Sequence, residues 1–394
     1  MSRLQRLKRN PRLLFWGKAL TELKTLNAIV VLFYLHRGVT FEQVFYLTLA
    51  WSVVTLIFEV PSGYLADKIG RKKTLLLGSF ILAGAFSIMW FAHGFWMFIL
   101  VQSLISLSYS MFSGTEEALL YDSLKELKEE SKLTQYFGRL QSAKNIFKIF
   151  VPAIGAFIAK DLLESQFQIL IGIEIMAIIL SFIVLLFLAE PKHERSVEDY
   201  EKGIFSDSLD LIKSQPMLLR VAMNRTLFFI ASVLVWRAYQ PMFVDFGFTA
   251  IWFGVFYVLM QASVFLISWF SEELKGWLGL RFIFVEAGWG AMLAIVVAAF
   301  SGNRWLVFFA ILTSIIMENM RYAHFSDIFN CRLKSWNRAT ALSNLNVLKG
   351  ILDIPILIFA GYLAVRGAQW VVVFAAFLCL LALVIFPIKR KDYK

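Results

Sequence analysis

Residues 63–73 read GYLADKIGRKK: an acid, two glycines and four cations within eleven residues. The flanks are almost pure hydrocarbon, VVTLIFEVPS before and TLLLGSFILA after. A soluble core has no use for such a knot. A tight connection between two membrane spans does, because its cations stay in water and its glycines let the chain turn. Composition agrees: of 394 residues, 59% are hydrophobic and 17% charged, where soluble domains hold roughly 45–50% and a quarter. The mean hydropathy is +0.68.

A helix crossing the hydrocarbon needs about 20 mostly apolar residues. Such stretches lie at roughly 13–36, 42–63, 74–93, 95–121, 136–160 and 166–189, and again at 218–246, 250–271, 282–300, 304–329, 340–364 and 368–387. The polar segment PKHERSVEDYEKGIFSDSLDLIKSQP, residues 191–216, separates the two sets. The expected fold is therefore an all-α polytopic membrane protein. Twelve transmembrane helices form two six-helix bundles, 1–190 and 217–394, joined by the 191–216 linker.

The formal charge of +11 could suggest nucleic acid, but its distribution is topological. Arg3, Arg6, Lys8, Arg9 and Arg12 precede span 1, and Lys68, Arg71, Lys72 and Lys73 follow span 2. Lys125, Lys128 and Lys132 follow span 4, Lys275 and Arg281 follow span 8, and Arg332, Lys334 and Arg338 follow span 10. The linker and the last residues are basic too, whereas the alternate loops hold only Arg37, Lys160, Arg304 and Arg366. By the positive-inside rule both termini and the linker are expected in the cytoplasm, in a plasma-membrane protein that binds no nucleic acid. The basic start MSRLQRLKRNPRLLFW runs into a charged span and does not read as a cleaved signal.

Cys331 and Cys379 lie in different apolar segments, so no disulfide framework is expected, and His36, His93, His193 and His324 lack metal-ligand spacing. No metal and no cofactor are expected. The two halves echo each other weakly. YDSLKE surrounds Asp122 and FSDIFN surrounds Asp327, with Pro152 and Pro355 following by 30 and 28 residues. A duplicated six-helix unit would leave such traces.

The stretch from Gly63 to Lys73 resembles the signature of the major facilitator superfamily, G-x-L-A-D-x-x-G-R-[RK]-x-x, at every fixed position. It also falls in the corresponding loop, between spans 2 and 3. The resemblance implies that Gly63, Asp67, Gly70, Arg71 and Lys72 form a latch closing the two halves on the cytoplasmic side. Asp67 would then face the start of helix 11, near Ala339 to Ser343, and Asp122 would stand within reach of Arg71. The second half offers only a degraded copy, SEELKGWLGLRF, keeping Glu272, Gly276 and Arg281 loosely. Span 5 keeps Pro152 and Gly155 of the drug–proton antiporter pattern but replaces its upstream glycines with a segment containing Lys144 and Lys148.

Charges inside a bilayer cost at least about 2.5–3.5 kcal/mol and so face a cavity or a partner. Lys18, Glu22 and Lys24 lie on span 1, and Lys18 and Glu22, one turn apart, could pair locally. Glu116 and Glu117 lie on span 4, and Arg139, Lys144 and Lys148 on span 5. Span 7 holds Arg225, Arg237 and Gln240. Span 10 holds Glu318, Arg321 and His324, and span 11 holds Asn346, Lys349 and Asp353. Glu22, Glu318 and Asp353 are the candidates for carrying a coupling proton; the equal alternative is that Glu22 only neutralises Lys18 or Lys24, and Glu318 only Arg321. Lys144, Lys148, Arg225, Arg237, Arg321, Asn346 and Lys349 are the candidates for binding substrate. Their surplus of cations suits an anionic or zwitterionic solute.

The 39 Phe and 12 Trp could wall a cavity for an amphiphile or simply meet lipid. The expectation is a monomeric secondary transporter in the lipid bilayer. It moves a small metabolite, siderophore or drug by alternating access, with export favoured and protons as one option for coupling. A lipid flippase or an uptake carrier on the same fold, a sensor, and a lipid-modifying enzyme are the competing readings.

Overall fold

The computed structural model describes residues 2–192, 216–332 and 338–393, with side chains except at 323, 326, 327, 329–332 and 338–348. Most of the polar linker therefore lies outside the described residues, as do the side chains of Asp327, Cys331, Ala339 to Ser343 and Asn346. Among the described residues the regular structure is helical, without strands. The chain divides into two compact units, Met1–Val197 and Glu198–Lys394.

In the first unit, span 2 is one helix, Phe41–Ile69, span 3 is Arg71–Phe91 and span 6 is Glu164–Leu186. The GYLADKIGRKK stretch is thus no loop. Seven of its residues, from Gly63 to Ile69, complete the second helix, and the turn is made by Gly70 alone, with φ 100°. Span 4 is made of Gly94–Phe112 and Thr115–Glu126, broken at Gly114 with φ 70°.

Spans 1 and 5 are discontinuous. Span 1 is helical over Asn10–Thr21, unwinds, and resumes as Asn27–Ile29 and Val30–His36. Span 5 consists of Leu133–Ala143 and Val151–Ile158. Pro152 sits in the first turn of the second piece, where its missing N–H costs nothing.

Small polar side chains tie these helices together, as is common where lipid supplies no hydrophobic drive between spans. Ser62 donates to the Ser110 carbonyl at 2.8 Å and Ser108 to the Gly78 carbonyl at 2.7 Å. Ser181 donates to the Gly17 carbonyl at 2.8 Å, drawing span 6 against span 1.

The second unit contains Pro216–Asp245, Ala250–Trp269, Arg304–Arg332, Arg338–Ala364 and Ala368–Val384 as spans 7, 8, 10, 11 and 12. Span 9 is Ala287–Phe300, preceded by a π-helical turn Phe282–Glu286 and the helix Ser271–Arg281. The aromatic residues of this unit are divided between an exposed set, Trp269, Trp277 and Phe300 among them, and a buried cluster. Tyr239, Phe243, Phe253 and Phe256 are fully buried, and Phe243 stacks on Phe308 at 5.4 Å, joining spans 7, 8 and 10.

Candidate functional site: a polar turn and broken spans

Around the Gly70 turn, Arg71 forms a salt bridge with Asp122 and donates to the Ala118 carbonyl, so the fork of this arginine staples span 3 to span 4. Both side chains are mostly buried. The two N–H groups that open span 3, those of Arg71 and Lys72, donate to the two carboxylate oxygens of Glu190, each at 2.8 Å. An anion is favoured there because the first amides of a helix lack partners and carry partial positive charge.

The N-terminal segment joins the same cluster. Arg3 pairs with Glu126 at 3.0 Å and donates to the Glu190 carbonyl at 3.2 Å. The Asn10 amide donates to Ser123 and to the Ala189 carbonyl, both at 2.8 Å. Asp67 is half-buried one turn before Gly70, and Gly63 lies within the second helix.

The breaks in spans 1 and 5 meet each other. The carbonyl of Thr25, in the unwound stretch, would lie 2.0 Å from a Cβ on Gly155. Only glycine admits that approach. Unwound backbone in a membrane must find internal partners, and Glu174 of span 6 provides them. Its carboxylate accepts from the Leu26 N–H at 2.9 Å and from the Thr25 hydroxyl at 2.8 Å, with Glu174 only 2% exposed. Lys24, one residue earlier, has its ammonium buried without a hydrogen-bond partner, 4.2 Å over the Phe86 ring.

Lys18 does not pair with Glu22, the local pairing that their spacing suggested. It reaches across to span 4, 2.5 Å from Glu116 and 3.9 Å from Glu117. Helix geometry explains the change: the chain leaves the helix after Thr21, and Glu22 turns to the Tyr109 hydroxyl. Lys144 and Lys148 fall on the unwound stretch between the two pieces of span 5. Both are exposed and have no ion-pair partner among the described residues, and Lys148 lies within electrostatic reach of Lys144 and Glu22.

In the second unit Arg321 is 1% exposed, yet no carboxylate pairs with it among the described residues. It donates to Asn224 at 2.7 Å and to the Phe284 carbonyl at 3.3 Å, and lies 3.7 Å over the Phe228 ring. Glu318 does not pair with Arg321. It lines a small cavity with Ser232, Ser314 and Cys379 and bonds Ser232. Lys349 pairs with Asp353 at 2.8 Å, so these two candidates answer each other. Arg225 donates to the Tyr322 hydroxyl at 3.0 Å, and Arg237 is half-buried on span 7.

Two acids were missed by sequence reasoning. Glu174 is a lone charge inside QFQILIGIEIMAIIL, a signal that charge counting along span 6 would have found. Glu190 sits where span 6 gives way to the linker, and nothing local points it at Gly70.

Two compact helical units, apolar enough to span a bilayer and carrying charges at broken helices, define a polytopic membrane protein of the transporter type. The chain belongs to the Major Facilitator Superfamily, whose family model matches residues 19–330. It is 24% identical over 225 residues to the Tetracycline resistance protein, class B, of Escherichia coli, covering 54% of each chain. It is 29% identical over 120 residues to the MFS-type transporter YqjV of Bacillus subtilis (strain 168), covering 30% of this chain and 28% of that one. The matched region thus spans about half or less of these curated relatives.

Among solved structures, the nucleoside transporter NupG superposes with TM-score 0.76 at 14% identity, covering 98% of this chain and 100% of that one. A bacterial homologue of the iron transporter ferroportin, in an inward-facing state, superposes with TM-score 0.71 at 14% identity, over 96% and 98%. At such identities the likeness is one of fold.

Proposed function

We propose that the protein is a secondary transporter that exports a small zwitterionic, amphipathic organic solute across the plasma membrane by alternating access, in exchange for protons. The observation that carries this reading is the pair Lys144 and Lys148, exposed on an unwound stretch without ion-pair partners among the described residues and with Glu22 in electrostatic reach of Lys148. Discontinuous spans are where transporters of this kind place their binding groups. The two ammonium groups suit the anionic end of a solute. Glu22 suits its cationic end, and a proton competes with that end for the same carboxylate. Such competition is what couples outward solute movement to inward proton movement. The partial relationship to a tetracycline resistance protein supports the export direction.

A thermal-shift screen of the purified protein against organic anions, zwitterions and lipophilic cations, at mildly acidic and mildly alkaline pH, tests the reading. A zwitterion should stabilise the wild type more at alkaline pH, and Lys144→Ala/Lys148→Ala should abolish the shift. Glu22→Gln should remove its pH dependence. A pure anion that stabilises more at acid pH would instead mean co-transport with the proton. Stabilisation by lipophilic cations alone, unaffected by the lysine changes, would contradict the proposal.

A further inference from the structure

In the first unit the turn at Gly70 holds its own anion, Glu190, supplied by the chain just beyond the sixth span. The second unit makes the corresponding turn between spans 8 and 9 at Gly279, with φ 74° and ψ 154° against 100° and 147° at Gly70. Gly279, rather than Gly276, is therefore the counterpart of the signature glycine. The chain beyond span 12 returns to this turn as the chain beyond span 6 does to Gly70, but its acid, Asp392, is bonded to Arg220 and to the Lys389 N–H instead of to the turn's amides. Between them lies a cleft of about 650 Å³ whose lining includes Gly279, Leu280, Arg281, Ile388, Arg390 and Tyr393.

The nearby acid of the tail is already committed. Asp392 is buried, with both carboxylate oxygens 2.6 Å from Arg220 and one accepting from the Lys389 N–H at 2.7 Å. This bond pins the tail, and Tyr393 stacks on Phe284 at 5.5 Å to form one wall. Arg281, with its side chain 81% exposed, has a single looser contact to Glu286 at 3.4 Å. Arg390 is exposed and has no ion pair among the described residues. Trp277, 79% exposed, stands one turn before Arg281.

We propose that this cleft binds the headgroup of an anionic phospholipid. The phosphate lies between Arg281 and Arg390, and the glycerol end lies against Leu280 and Ile388. Guanidinium groups suit phosphate oxygens, and an exposed tryptophan marks the level of the headgroups. The charge distribution puts this end on the cytoplasmic side, where anionic lipids draw basic pockets between spans. The volume is that of a small-molecule site. Apolar walls and the neighbouring tryptophan favour a lipid over a soluble phosphate. The inference is independent of what the transporter carries.

Native mass spectrometry of the detergent-purified full chain, titrated with phosphatidylglycerol or phosphatidylcholine, tests it. Phosphatidylglycerol should bind in preference to phosphatidylcholine. Each of Arg281→Gln and Arg390→Gln should weaken that binding about fivefold, and the pair about 25-fold. Arg304→Gln, which removes the same charge from the opposite connection, should leave it unchanged, as should added inorganic phosphate. Equal retention of both lipids, a double variant within about twofold of wild type, equal loss in Arg304→Gln, or displacement of the lipid by inorganic phosphate would each overturn the proposal.

Discussion

At Gly70 the backbone takes a φ of 100°, open to glycine and strained for any side chain, and a Cβ there would stand 3.2 Å from a Glu190 oxygen. The two features act together: the turn aims the Arg71 and Lys72 amides, and the acid neutralises them. Gly70→Ala should therefore cost about 1–3 kcal/mol, and Glu190→Gln about 0.5–1 kcal/mol through the lost charge at the helix start. Both are read as unfolding midpoints in detergent. A Gly70→Ala midpoint equal to wild type would sink the account of the turn. At this scale the sequence was only partly legible. The signature stretch named Gly70 and Arg71 because the pattern is contiguous, and Asp122 entered only through the family resemblance. Glu190 escaped because its partner is 118 residues away along the chain, and no local periodicity encodes such a contact.

Helix ends decide the elements. Where span 1 is unwound, Glu174 accepts from the Leu26 N–H and the Thr25 hydroxyl, and span 5 lets the stretch in through Gly155. Gly155→Ala puts a methyl 2.0 Å from a backbone carbonyl oxygen, so the backbone itself must shift. The cost should reach about 3 kcal/mol or more, at the upper end for overpacking. Gly138→Ala, on an exposed helix surface with open space around it, should instead gain about 0.5–1 kcal/mol. Equal effects of the two changes on the thermal midpoint would contradict the close approach. Hydropathy placed both spans within a few residues but could not show the breaks, since a window of about 20 residues averages over a stretch this short. The charges at Glu22, Lys24, Lys144 and Lys148 were the visible trace. They mark backbone that leaves the helix, and the Tyr109 hydroxyl beside Glu22 came only from the packing.

For the whole molecule, the span pattern and the signature made the superfamily legible before any coordinate. Each unit also carries a buried polar tie between its first and fourth spans at nearly equal separation. Lys18 and Glu116 are 98 residues apart, and Asn224 and Arg321 are 97 apart. The identities differ, which is why the repeat is faint in sequence. If the Asp67 turn works as a latch in the transport cycle, Asp67→Asn should raise cytoplasmic-side labelling of single cysteines placed at Lys144 or Tyr109. Unchanged labelling would count against it.

The most direct test of the transport reading is uptake into proteoliposomes containing the purified protein in inverted orientation, with a zwitterion found by thermal shift. An interior made acidic relative to the bath should drive accumulation of the solute, and Glu22→Gln and Lys144→Ala/Lys148→Ala should reduce it to the level of empty liposomes. Flux that ignores the proton gradient and both variants, or no flux above empty liposomes, would contradict the account.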